Sequence, residues 1–467
     1  MEFKDLIIED IKKVILVEPD FPIPNKSRNH SNFLPIGLLK IASYFREKDI
    51  EVELIRFEED KNKDYNQLTL DYEKPKSKKK ASTIIFVTSI FTYWSKHVIK
   101  AVLEYKIEYP DAFIIVGGVY ASLMPKHCLT NTFCDDIITG PIPEVEQYPP
   151  SYDLVDVDYQ ILHASRGCRR KCGFCGTYII EPDFNCKPNI KNEILRNQEY
   201  FYNKTKKNLK KIIFYDNNLL ASPYIENILN DLIDLKKDKK ITYVESQSGF
   251  DGRILRKKPH LAKMLKDAGF KNPKIAWDYS KKQAPKIKEQ IDLLTAAGFQ
   301  TKEISIFMIY NYDLPYEEME EKRQFCAKWG VQITDCRYRP LDAEDDNYSS
   351  YKKEQDHRDY HIHKESGWTD KKVRKFRRNI RRHNICMRHE IEFHSTILER
   401  KRDIPKEKAK IYQRMGYDEI KKIIQIRYLM HGIHLNFILG TNRIILKLIK
   451  TRRRKVNLLH KHIIISI

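Results

Sequence analysis

The sequence predicts an α/β protein in three parts: a doubly wound N-terminal domain, a partial (β/α)6 barrel, and a basic, mainly helical C-terminal region. Three observations carry this expectation. Short apolar runs alternate with amphipathic stretches twice, first from residue 12 to 118 and again from 160 to 341; such alternation builds parallel sheets. Between the two series, residues 141–158 are rich in Pro, Tyr and Asp and have the composition of a linker. Beyond residue 341 the strand pattern fades. From Lys371 to the end, 27 Lys and Arg stand against 7 Asp and Glu, which holds nearly all of the net charge of +21. The expected domains are therefore 1–150, 160–341 and 342–467.

In the first series, residues 12–17 form a short apolar run that reads as a buried strand, followed by a proline-rich loop, Glu18-Pro-Asp-Phe-Pro. Residues 34–45 carry a continuous apolar helical face, and 51–57 alternate as a second strand. Residues 60–80 are polar and lysine-heavy and read as a solvated insertion. A strand over 82–89, a helix over 96–107 and a strand over 112–116 ending in Gly117-Gly118 complete the unit.

In the second series the strands are expected at 161–165, 211–215, 242–247, 274–277, 303–309 and 332–336. Helices fall between them at 192–202, 224–235, 261–268, 284–297 and 316–329, two of them ending in Ala-Gly-Phe stop signals. Six strand–helix units fall short of the eight of a closed barrel. In such folds chemistry gathers at the C-terminal ends of the strands.

Residues 1–10 are studded with charge, and the apolar stretch 428–441 is interrupted by His431 and His434. No signal segment or spanning helix is expected, and the location expected is cytoplasmic, with no membrane partner. Nine cysteines, three of them within eight residues, point in a reducing compartment to metal or redox chemistry. The basic region leaves two readings open, an RNA-binding face or a solvated helical face.

The clustered motif is Ser165-Arg-Gly-Cys168-Arg-Arg-Lys-Cys172-Gly-Phe-Cys175-Gly, directly after the first strand of the second series. Glycines let the backbone curl around a compact centre, and the arginines and lysine oppose the charge of a thiolate-rich site and lower thiol pKa. A [4Fe-4S] cluster normally takes four thiolates. Three leave one iron open, as in catalytic metal centres. The competing reading is a zinc site with Cys186 as fourth ligand, although structural zinc sites show two cysteine pairs.

Cys-x3-Cys-x2-Cys with Phe174 before the last cysteine resembles the signature of the radical S-adenosylmethionine (SAM) superfamily, over residues 160–341. The resemblance implies that Cys168, Cys172 and Cys175 hold a [4Fe-4S] cluster and that the open iron binds SAM. Reductive cleavage then yields a 5′-deoxyadenosyl radical that abstracts hydrogen from a substrate, here a small molecule or macromolecule that the sequence does not identify. It also implies an electron donor such as a flavodoxin or ferredoxin. By the same resemblance Phe174 and Asp216, Asn217 and Asn218 help seat SAM, with the acidic and amide groups suited to its ammonium. A turn capping the next helix would explain the Asp-Asn-Asn run equally. Gln247 belongs to a polar run at the end of the third strand that lines SAM or substrate in relatives. Asp278 ends the fourth strand and is a candidate substrate contact or a helix cap. Arg337 and Arg339 end the sixth strand, where relatives contact adenine; either could meet a carboxylate or phosphate or form a surface salt bridge. Trp277 and Phe307-Met308-Ile309 read as core.

An α/β unit ahead of such a barrel is similar to the cobalamin-binding subfamily, and Leu34-Pro-Ile-Gly-Leu and Val116-Gly-Gly-Val-Tyr-Ala match that look. The Asp-x-His-x-x-Gly cobalt-ligating pattern is absent after the first strand, so cobalamin with methyl transfer, or a degenerate domain that covers the barrel mouth, are both left open. Methylthiotransferases place three cysteines upstream; here only Cys128 and Cys134 precede the motif. Two further expectations stand beside the main one: an RNA-modifying enzyme using the basic region, and a non-catalytic iron–sulfur or zinc protein.

Overall fold

The computed structural model describes residue 3 and residues 11–23, 34–56, 82–352 and 354–389. The insertion expected at 60–80 and the cationic sequence from residue 390 onward lie outside the described residues. The protein is mixed α/β, built on parallel sheets.

β1 (Lys13–Glu18), β2 (Glu51–Arg56), β3 (Thr83–Ser89), β4 (Phe113–Gly118) and β5 (Asp136–Ile137) form one parallel sheet in the order β2-β1-β3-β4-β5. Two helices, α1 (Ile36–Arg46) and α2 (Ser95–Glu108), cover its two faces. Ile15, Val17, Ile85, Val87, Ile114 and Val116 pack with Val98, Ala101 and Val102 of α2. Their strand neighbours Val14, Leu16, Ile84, Phe86 and Ile115 pack with Leu38, Ile41, Ala42 and Phe45 of α1. Burial on both faces explains why these strands read as unbroken apolar runs. β2, at the edge, alternates between exposed and half-buried instead.

At the end of β4 the chain turns sharply. Gly118 has φ +95°, and a Cβ there would lie 2.2 Å from the Ser89 carbonyl oxygen. Only glycine permits that approach. It delivers α3 (Val119–Leu123) directly over the strand ends, followed by α4 (Pro125–Asn131).

Residues 141–158 are a correction: they are packed structure and not a linker. α5 (Pro143–Glu146) buries Val145, and Tyr152 is fully buried with its hydroxyl accepting from the Ile161 amide at 2.7 Å. Proline and tyrosine here serve capping and packing, which composition alone does not separate from a linker.

The second series gives β6 (Tyr159–Leu162), then a short antiparallel pair, β7 (Ser165–Arg166) with β8 (Asn185–Cys186). β9 (Lys211–Phe214), β10 (Tyr243–Ser246), β11 (Lys274–Ala276), β12 (Ser305–Tyr310) and β13 (Gln332–Arg337) follow. They form two parallel sheets, β10-β9-β6 and β11-β12-β13. Isolated parallel bridges, Val244 to Phe270 and Phe250 to Ile275, connect the two. Among the described residues no pairing joins β6 to β13, so the strand array does not close.

The connecting helices are α6 (Thr177–Ile180), α7 (Lys191–Thr205), α8 (Ile225–Lys237), α9 (Gly252–Lys257), α10 (His260–Asp267), α11 (Ala284–Ala296) and α12 (Tyr316–Trp329). In α8 the buried residues Ile225, Ile228, Leu229, Leu232 and Leu235 recur at helical spacing and join one large core with the strands.

Residues 342–369, expected to be helical, hold no helix among the described residues. They are tied down by buried aromatics instead: Tyr360 and Trp368 are buried, and Trp368 Nε1 donates to the Leu314 carbonyl at 2.8 Å. α13 (Asp370–His389) then packs Val373, Phe376 and Ile380 onto that core, while Lys371, Arg378, Arg381 and Arg382 are exposed. No helix among the described residues is long and apolar enough to cross a membrane.

Candidate active site

The cysteine loop is clasped at its base. β7 pairs with β8 in the register Ser165 to Cys186 and Arg166 to Asn185, so residues 167–184 leave and return at one point. Gly167 has φ +75°, and a Cβ on it would lie 2.1 Å from the Asp183 carbonyl oxygen. Its amide donates to Glu181 Oε2 at 2.6 Å, and Arg166 Nη1 donates to Glu181 Oε1 at 2.9 Å. Gly167→Ala is expected to destabilise the protein by more than roughly 2 kcal/mol, through the left-handed backbone and the carbonyl clash. Urea unfolding of the variant measures this.

Arg166 reaches in the other direction as well. Its Nη2 donates to Glu146 at 2.5 Å, and Lys40 of α1 donates to the same carboxylate at 2.6 Å. Burial raises the Glu146 pKa, but Arg166 and Lys40 outweigh it and hold the carboxyl below its ordinary value. One half-buried carboxylate thus ties the first sheet's helix to the root of the cysteine loop.

Within the loop, the Cys175 amide donates to the Cys172 carbonyl at 3.0 Å, and the Arg170 amide points at Cys168 Sγ at 3.4 Å. Cys175 Sγ donates to Thr177 Oγ1 at 3.2 Å. Cys168, Cys172 and Cys175 all line one cavity of about 760 Å³. Burial pushes the Cys172 thiol up, against the opposing charge of Arg170. The expectation that the neighbouring cations lower it fails there, because desolvation is the larger effect.

Both halves of the chain wall this cavity. Phe91, Thr92, Tyr93, Val119 and Leu123 come from the first sheet's strand ends, and the rest from the ends of the second strand array. Phe174 lines it, edge-on to Tyr312 with centroids 5.9 Å apart. Asn217 and Asn218 line it too; Asn217 accepts from Thr177 Oγ1 at 3.1 Å and donates to Glu181 at 3.3 Å.

Asp216 sits elsewhere. It is fully buried, outside the lining, and accepts from the Ser165 amide at 2.5 Å, Ser165 Oγ at 2.6 Å and the Ala164 amide at 3.1 Å. Its carboxylate faces the chain that leads into the cysteine loop, so the seat it provides is for protein and not for an ammonium. Gln247 is also outside the lining, while the next four residues, Ser248 to Asp251, are in it. Its amide donates to the Phe214 carbonyl.

Arg337 and Arg339 line the cavity, and both pair with Asp346. Arg337 stacks on Tyr348 and Tyr360, and Arg339 lies 4.5 Å over Tyr93. They therefore fasten the segment after β13 to the first sheet's wall. Asp278 lines the mouth, and burial raises its pKa against Arg170 and Lys322. Lys322, which burial brings down to about 8, donates to the carbonyls of Trp277 and Tyr279 on either side of it. Trp277 and Met308 are core, as the sequence implies, but Phe307 and Ile309 face the cavity. The alternation of strand side chains explains the split.

Three lining residues escaped the sequence reading. His163, directly after β6, is held neutral: burial lowers its pKa far below ordinary, with Arg166, Lys40 and Lys187 adding to it. Tyr215 and Cys336 share the cavity. Strand parity was the available signal for Cys336, which lies opposite Ile309 in the β12–β13 register.

Among the described residues no three His, Cys, Asp or Glu side chains converge on a single metal ion. A cluster makes a different demand, since its thiolates bind separate irons and stand farther apart than ligands of one ion. Three thiols on one loop, facing one cavity, fit that donor set. Cys186 lies outside the cavity lining at the loop's base. The crevice at the first sheet's strand ends measures about 330 Å³ and includes Ser89, Gly117, Gly118 and Ser122. That is the lower end for ligand pockets, too small for a corrin with its side chains. No family model matches the chain, and no curated protein matches it.

Proposed function

We propose that this chain is a radical SAM enzyme whose second strand array acts as a partial (β/α)6 barrel, with the doubly wound first unit forming part of the cavity wall. The domains follow as 1–150, 160–341 and the basic region from 342. The observation that carries the reading is the placement of Cys168, Cys172 and Cys175 on one clasped loop, all opening onto one large cavity at parallel-strand ends.

In this reading the three thiolates hold a [4Fe-4S] cluster, and the cluster with SAM supplies a 5′-deoxyadenosyl radical when reduced. The chain's own residues do the rest. Glu181 and Asp216 fix the two ends of the approach to the loop, through Gly167 and Ser165 respectively. Phe174, Asn217 and Asn218 present an aromatic face and amide groups to a SAM-sized ligand. The aromatic and aliphatic wall of Phe91, Tyr93, Leu123, Phe307 and Ile309 excludes water from a reactive centre. Electrons come from a flavodoxin- or ferredoxin-type donor, the substrate is unassigned, and no step is assigned to cobalamin.

Anaerobic reconstitution with iron and sulfide, then dithionite and SAM, tests the reading. The expected result is 5′-deoxyadenosine, detected by mass spectrometry. Zinc in the purified protein, with no 5′-deoxyadenosine after reconstitution, would overturn it.

A further inference from the structure

Four cysteines open onto the cavity, and the fourth comes from a different strand. Cys336 sits near the C-terminal end of β13, in register with Ile309 of β12, which lines the same wall. It is a free thiol exposed to the cavity space, whereas Cys128, Cys134 and Cys326 are buried. The protein around it raises its pKa to about 12, by burial first, then by Asp335 and Asp278, with Arg339 opposing. The thiol therefore keeps its proton at physiological pH.

The same cavity shows a further sign of a ligand. Asn218 is 7% exposed, and its Oδ1 has no hydrogen-bond partner among the described residues. A buried acceptor left open in a cavity wall suits a ligand that donates to it.

We propose that Cys336 is a catalytic hydrogen-atom donor, returning hydrogen to a carbon radical on the substrate held in this cavity. The inference rests on the radical SAM reading and adds the group that ends the turnover. In the step, the Cys336 S–H bond breaks and a substrate C–H bond forms, leaving a thiyl radical. One electron from the flavodoxin- or ferredoxin-type donor and one proton from solvent restore the thiol. An S–H bond is weaker than an aliphatic C–H bond, so the transfer runs downhill. A protonated thiol is the form required. The reaction class is then one in which a carbon radical regains hydrogen, with inversion or rearrangement in between.

Two measurements on the full chain test this. The first treats the iron-free protein with methyl methanethiosulfonate in alkaline buffer and maps the adducts by mass spectrometry. Cys336 is expected to be modified while Cys128, Cys134 and Cys326 are spared; a spared Cys336 overturns the proposal. The second compares reconstituted wild type with Cys336→Ala in deuterium oxide, with SAM and dithionite but no added substrate. The S–D group is then the nearest hydrogen source for the radical. Wild type is expected to give monodeuterated 5′-deoxyadenosine, and Cys336→Ala to lose the deuterium while keeping its iron and its yield of 5′-deoxyadenosine. Equal deuterium in both proteins, or none in wild type, overturns the donor role. Loss of iron in Cys336→Ala would make the residue a cluster ligand and overturn it as well. Absence of 5′-deoxyadenosine from both proteins would instead remove the reading beneath it.

Discussion

Cys172→Ala is expected to abolish 5′-deoxyadenosine formation and to strip the reconstituted protein of most of its iron, while the fold survives. The thiol lies mid-loop and is only partly buried, so its removal should change stability by no more than about 1 kcal/mol. What it removes is one of three anchors, and two thiolates do not retain a cluster whose fourth corner is already open. Cys172→Ser should fail similarly, because a hydroxyl is a poor match for a soft iron–sulfur site. Cys186→Ala is the informative partner. Its thiol belongs to the clasp at β8, outside the cavity lining, so that variant should keep its iron. A zinc site using Cys186 would lose metal instead. Iron and zinc analysis of the variants, beside mass spectrometry of the nucleoside, separates the outcomes.

Asp216→Ala is expected to cost roughly 3–5 kcal/mol, since it leaves two buried amides and a hydroxyl without their acceptor. Those donors belong to Ala164 and Ser165, at the entry to the cysteine loop, so cluster retention should fall with stability. Urea unfolding and iron content measure the two effects. The same carboxyl gives a signed pH dependence. Burial lifts it to about 6 from an ordinary value of 3.8. Between those values the folded chain holds a proton that the unfolded chain has released. The contribution of this group is therefore fully present below pH 3.8 and is lost as pH rises through about 6. Asp216→Asn has nothing to titrate, so the stability of wild type minus that of Asp216→Asn should fall across this window and level off outside it. A rise across the window would contradict the assignment.

The strands were legible because burial on both faces writes itself as apolar runs. β1, β3 and β9 through β13 fall within a residue or two of where hydrophobic patterning places them. α12 coincides with its expected span, since apolar spacing and Gly330 mark its two ends. The cysteine loop was legible as chemistry, because three thiols at close spacing have few other uses. Asp216 was misleading for a physical reason: a carboxylate at a strand end suits a ligand ammonium and a pair of backbone amides equally, and only the fold decides between them. Residues 141–158 and 342–369 depart from expectation in opposite directions. The former have a linker's composition yet bury Tyr152, and the latter have a helix-like composition yet are held by Tyr360 and Trp368 without a helix. Cavity residues from the first sheet, such as Tyr93, carry no local mark, because their role depends on Arg339 far along the chain.

That long reach has a consequence for the order in which the molecule is made. Ser95 donates to the Glu344 carbonyl across 249 residues of chain, and Lys96 pairs with Asp345 beside it. Synthesis proceeds from the N-terminus, and early segments fold first. The first sheet must then wait at the ribosome with Phe91 and Tyr93 uncovered while the whole strand array is translated. The cysteine loop emerges midway through that interval, and its pocket gains its last wall only when Arg339 and Asp346 arrive. A chain stalled shortly before them would present an aromatic patch and three thiols together, which makes the nascent protein, more than the finished one, the form that most needs a chaperone and a reducing environment.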